Sequence, residues 1–189
     1  MNFTEFRPID PHHEHIFKEI SRRIFRLQSG KSLDSMEKIG ANTNGQIGAS
    51  YLSLKTLAQN YSQDLETALL LWGTGKREEQ IVACFLIPSD GLIKEKITQL
   101  LDLCHSLELA EYFGTLVLSR CAEQVLLVNE FLQTDNANLQ MAALACISRN
   151  RIIKKTESPF TDNYIRGINT KQFKSPYVLN AYNRLRILI

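Results

Sequence analysis

Apolar residues recur three and four positions apart along most of this chain, which is the spacing of one helical face. Residues 64–88 give the clearest case. Leu65, Ala68, Leu69 and Trp72 share one side of a helix. Gly73-Thr74-Gly75 breaks it, since two glycines favour the left-handed turn that ends a helix. Ile81, Val82, Phe85 and Leu86 then stripe a second helix, which opens on Arg77, Glu78 and Glu79 and which Pro88 stops. A helical hairpin of this kind cannot bury its own apolar faces, so it asks for copies of itself on either side.

The remaining pattern supplies them. Pro8 and Pro11 fence off an irregular start, and residues 11–28 predict an amphipathic helix with Ile16, Phe17, Ile20, Ile24, Phe25 and Leu27 as its stripe. Gly30 ends it. A short helix over 32–39, a polar loop over 40–45 continuing through 46–49, and a helix over 51–61 with Ser50 as its N-cap come next. Ser89-Asp90-Gly91 is expected to cap a helix over 92–105, and Ser106 opens another to about 118. Helices over 121–132 and 136–147 follow, joined by the turn 133–135. Beyond Arg149 the period weakens through loops at 157–163 and 171–175. A last amphipathic helix over 176–188 turns Val178, Ala181, Leu185 and Leu188 inward and leaves Arg184 and Arg186 exposed.

The pairs start near 64, 92 and 121, a nearly constant interval of 28 and 29 residues. Constant spacing of helix pairs is the mark of a repeat array. No strand pattern of any length interrupts it. The expected fold is all-α, a right-handed α-solenoid of HEAT-like antiparallel helix pairs in one domain over 1–189, with 151–189 as a basic capping segment.

At 189 residues the chain is long enough to bury about 70% of its unfolded surface without staples. No stretch approaches a membrane span, and the first residues lack the basic start and apolar run of a secretion signal, so the cytoplasm is the expected location. The four cysteines, Cys84, Cys104, Cys121 and Cys146, sit apart in apolar segments and read as small buried hydrophobes rather than disulfides or zinc ligands. Net charge is +2, but it is unevenly spread. Residues 76–150 carry six Lys and Arg against ten carboxylates, whereas 151–189 carry eight against two. That asymmetry suggests a polyanion partner for the basic end, against the plainer alternative of a solvated tail.

Other chemistry-bearing residues read as structural. His12, His13 and His15 cluster beside Glu14, but no further ligand can be assigned, so no metal and no cofactor is expected. Cys104 and His105 are adjacent on a helix and point about 100° apart, which spoils a nucleophile–base pair. Trp72 lies on the apolar face before its turn and reads as core.

Around the central hairpin the chain resembles the DNA alkylation repair family of the AlkD type, HEAT-like repeat alkylpurine DNA glycosylases. The resemblance rests on Leu71-Trp72, Arg77-Glu78 and Val82-Ala83, and upstream on SLDSMEKIG followed by YLSLKTLAQNY. It covers roughly residues 15–150. It implies a curved stack whose basic concave face cradles duplex DNA, and hydrolysis of the N-glycosidic bond of a cationic alkylpurine. There a carboxylate stabilises the positive sugar, an aromatic ring adds cation–π attraction and a basic side chain holds a phosphate. The position matching the family's catalytic Asp is Glu111, with Glu108 three residues earlier on the same helix face. Where the family has its aromatic, this chain has Leu107. Where the family has its Arg, it has Gln140 and Met141.

The resemblance therefore implies a DNA-binding protein with an incomplete or altered catalytic centre, in which Glu111, if the chain acts as a glycosylase, is the electrostatic carboxylate. The phosphate contacts expected from charge are Arg22, Arg23, Arg26, Arg149, Arg151, Lys154 and Lys155. The competing expectation is a non-catalytic α-solenoid scaffold that binds a protein partner. A basic surface flanking Glu111 favours DNA; an acidic or apolar one favours a protein.

Overall fold

A computed structural model describes residues 10–29, 46–154 and 157–187. Among these residues the structure is all-helical and contains no strand. It divides into two compact units, Met1–Pro88 and Ser89–Ile189. The predicted helix over 32–39, the loop over 40–45, Gly30, Lys155 and Leu188 lie outside the described residues.

The first unit contains α1 (Pro11–Phe25), α2 (Tyr51–Ala58), α3 (Leu65–Gly73) and α4 (Arg77–Leu86). Short polar side chains start the first three by accepting otherwise unpaired amides. Asp10 accepts from the His12 amide at 2.8 Å, Ser50 from that of Ser53 at 3.1 Å and Asp64 from that of Thr67 at 3.0 Å. Between α3 and α4 the turn depends on one glycine. Gly73 is still helical and Thr74 is the C-cap, whereas Gly75 takes the left-handed conformation (φ 69°). Thr74 locks the turn, its hydroxyl donating to the Leu71 carbonyl and accepting from the Lys76 amide.

The two helices of this hairpin pack on each other, and α4 also meets α1 and α2. Burial on α4 goes well beyond the predicted stripe. Glu78, Glu79 and Gln80 are buried along with Ile81, Val82, Ala83, Cys84 and Leu86. Helices enclosed on most sides need partners for their polar groups. Glu78 finds them in the amides of Ile47 and Gly48, each 3.2 Å away.

The second unit contains α5 (Lys94–Asp102), α6 (Leu107–Leu116), α7 (Gln124–Phe131), α8 (Ala137–Lys154), α9 (Asp162–Arg166) and α10 (Pro176–Arg186). Short 3-10 turns occur at Leu118–Arg120 and Thr170–Gln172. Helix α8 is its axis. It touches α5, α6, α7 and α10, and every residue from Leu139 to Ile147 is buried. The apolar pattern of MAALACI is therefore continuous rather than striped, as expected for a helix covered on all sides.

The structure departs from the sequence reading in helix limits and in burial. Ser89-Asp90-Gly91 does not cap α5, whose N-cap position is Ile93 without a side-chain bond. Helix α8 continues past Ile147 to Lys154, because a weakening apolar period marks the end of burial and not the end of a helix. On α10 the buried residues are Val178, Tyr182 and Leu185, while Ala181 is half-buried.

Candidate functional site

Glu111 lies on the second turn of α6, after the N-cap at Ser106, whose hydroxyl accepts from the Leu109 amide at 3.3 Å. Its carboxylate opens into a hollow of about 230 Å³ between α6, α8 and α10. Met141, Leu144 and Ile152 from α8 and Leu185 from α10 wall this hollow. Arg184 lies at its mouth, with Nη2 3.8 Å from Glu111 Oε1. The two side chains remain 67 % and 47 % exposed, so their mutual attraction is screened and contributes at most about 1 kcal/mol.

This arrangement supplies a cation beside the carboxylate from α10, a helix that the resemblance does not cover. The positions matching the family's arginine behave differently from each other. Met141 is buried against the hollow. Gln140, 1 % exposed, turns its amide to the carbonyls of Thr134 and Gln172 and ties two loops together. Glu108 is half-buried and does not line the hollow.

The basic residues expected to meet phosphate fall in both units. Arg22 on α1 and Arg26 at its C-cap are exposed. Arg23 pairs with Glu19 at 2.8 Å and stands over the Tyr61 ring. On α8, Arg149 and Lys154 are exposed. Arg151 is 18 % exposed and holds Asp162 at 2.5 Å, so it fastens α9 to α8. Exposed Arg186 follows Arg184 on α10. The second unit thus brings Glu111 and Arg184 together, with Arg149, Lys154 and Arg186 exposed on the helices that form the hollow.

Elsewhere His13 is paired and the cysteines and Trp72 are enclosed. His13 Nδ1 lies 2.8 Å from Asp64 Oδ2, which joins the histidine cluster to the start of α3. Among the described residues no group of His, Cys, Asp and Glu is placed to hold a metal ion. All four cysteines are buried and outside any disulfide, and burial pushes the thiols of Cys104 and Cys146 up to about 12. Thiols held so firmly protonated are poor nucleophiles. Trp72 is fully buried. Among the described residues no helix is long and apolar enough to cross a membrane.

In comparisons with known proteins, no family model, no curated protein and no solved structure matches the chain.

Proposed function

We propose that this chain is a DNA-binding helical-repeat protein of the alkylation-repair type, a right-handed solenoid of HEAT-like pairs with an altered glycosylase centre. One observation carries the reading: a carboxylate and a guanidinium, Glu111 and Arg184, meet at the mouth of a hollow 3.8 Å apart. Departure of a cationic alkylpurine leaves positive charge on the sugar, which a nearby carboxylate stabilises. A guanidinium beside it suits a backbone phosphate. Arg184 does so from α10 in place of the arginine that the resemblance sought on α8. Arg149, Lys154 and Arg186 extend the positive surface, reading phosphates rather than bases. No aromatic ring is among the residues that line the hollow, and Leu107 stands where the resemblance places one, so on this reading the centre is altered and any base release is slow. The start of helix pairs at Leu65, Lys94 and Gln124 supports the repeat reading.

The test is a titration of duplex oligonucleotide with the chain and with a triple variant, Arg149→Ala, Lys154→Ala and Arg184→Ala. The variant should bind more weakly and with a shallower salt dependence. Identical curves would reject the phosphate assignment. For the reaction, 7-methylguanine released from methylated duplex under single-turnover conditions should vanish in Glu111→Gln while binding persists.

A second reading rests on the walls of the same hollow. Met141, Leu144, Ile152 and Leu185 suit an apolar side chain of a protein partner better than a sugar. On that reading the chain is a non-catalytic scaffold. Peptides selected against it would then lose binding to Ile152→Glu, and duplex DNA would not bind even in low salt.

A further inference from the structure

The first unit contains a larger cavity, of about 350 Å³, between the C-terminal end of α1, Ile47 and the start of α4. Its volume falls in the range of small-molecule sites. Two buried polar atoms on its lining have no hydrogen-bond partner: Glu79 Oε2 and Ser21 Oγ. Such orphans are rare in folded proteins, because each forfeits its hydration without compensation. The Glu79 side chain is 5 % exposed. Its other oxygen lies 3.7 Å from the ammonium of Lys76, too far for a hydrogen bond. Glu78, next in the chain, shows the contrast, since its carboxylate is satisfied by the amides of Ile47 and Gly48. Glu79 is therefore an acceptor aimed into the cavity and short of a donor.

The rest of the lining describes what that donor is attached to. Ile24, Phe25 and Ile47 are apolar, and Phe25 is 65 % exposed at the cavity's edge. Arg22, in the last turn of α1, and Arg26, its C-cap, also line it, four residues apart and hence on one side. Both are exposed, and they can grip an anionic group between them. A simple cation would meet Glu79 but leave these arginines without a partner. A simple anion would leave Glu79 unpaired and repelled.

We propose that the cavity binds a small zwitterion: an ammonium donating to Glu79 and Ser21, an apolar body against Ile24 and Ile47, and a carboxylate between Arg22 and Arg26. This site is separate from the Glu111 hollow and does not depend on the reading given to it. Lys76, through its contact with Glu79, becomes redundant as a counter-ion once the ligand's ammonium is in place.

Three probes sharing one apolar chain test this on the intact protein: 6-aminohexanoate, hexylamine and hexanoate, followed by amide chemical shifts. The zwitterion should perturb Ile47, Gly48 and Glu79 and bind at least about tenfold tighter than either single-charge analogue. Glu79→Gln should remove that advantage, and Arg22→Ala should reduce 6-aminohexanoate to the affinity of hexylamine. If hexylamine or hexanoate matches 6-aminohexanoate, or if none of the three shifts these amides, the proposal is wrong. The comparison on the unsubstituted chain decides the matter even where Glu79→Gln fails to fold.

Discussion

Gly114 on α6 lies so close to α8 that a Cβ built on it would stand 2.2 Å from the Ala142 carbonyl oxygen and 2.7 Å from the Ala142 Cα. Backbone cannot yield as a flexible side chain does. An ordinary helix glycine gains about 1 kcal/mol on becoming alanine, but here the added methyl must push two packed helices apart, which costs about 1–3 kcal/mol or more. We expect Gly114→Ala to lower the stability of the second unit, with a Tm several degrees below that of the parent chain. A rise in Tm would show that α6 and α8 do not approach this closely.

Glu111 and Arg184 should separate in DNA-binding assays although they touch. Arg184→Ala should weaken duplex binding and reduce the slope of log affinity against log salt by about 1. Glu111→Gln removes a negative charge beside the proposed phosphate path, so affinity should hold or rise. Neither change should alter stability by more than about 1 kcal/mol, because the pair is exposed. Equal weakening by both would mean that the pair acts as a structural clasp.

Asp64 gives the chain a pH-dependent contribution. Burial pushes its carboxyl up, but Thr67 and His13 together more than offset this and hold it below the ordinary carboxylate range. A carboxyl depressed in the folded state adds stability above its unfolded pKa and loses it as pH falls through the folded value. Asp64→Asn keeps an N-cap side chain without the charge. The parent chain should therefore lose its margin over Asp64→Asn as pH drops from about 5 to about 3. Unfolding free energies measured across that window check it, and a constant difference would contradict it.

The thiols offer a test of burial. Cys84, Cys104, Cys121 and Cys146 are enclosed, and desolvation raises the pKa of the last three. Ellman's reagent should react slowly with the folded chain and with all four thiols at once in denaturant. Rapid reaction of any one under native conditions would place it at the surface.

Local signals in the sequence were reliable where one side chain settles a local bond. Ser50 and Ser106 each cap the helix expected of them, because an N-cap needs a short acceptor and a nearby amide and nothing from afar. Ser89-Asp90-Gly91 carries the same composition and caps nothing, since α5 begins later, at Lys94. Burial was harder to read. Glu78 and Glu79 look like a solvated first turn, and what encloses them is α1 and the segment at Ile47, remote in sequence. The approach of α6 to α8 had a faint signal in Ala110 and Gly114, small residues four apart, facing an alanine-rich helix. At the candidate site Glu111 was singled out by resemblance alone, not by any pattern in the residues around it. Arg184 was legible as an exposed cation but not as a neighbour of Glu111, because that contact joins two helices far apart in the chain.

The most direct test of the proposed function is duplex binding by the unsubstituted chain as salt is varied, followed by fluorescence anisotropy. Phosphate recognition predicts clear binding in low salt and a steep linear fall of log affinity with log salt, its slope counting the phosphates neutralised. Absence of duplex binding in low salt would contradict it and leave the apolar hollow beside Glu111 to a protein partner.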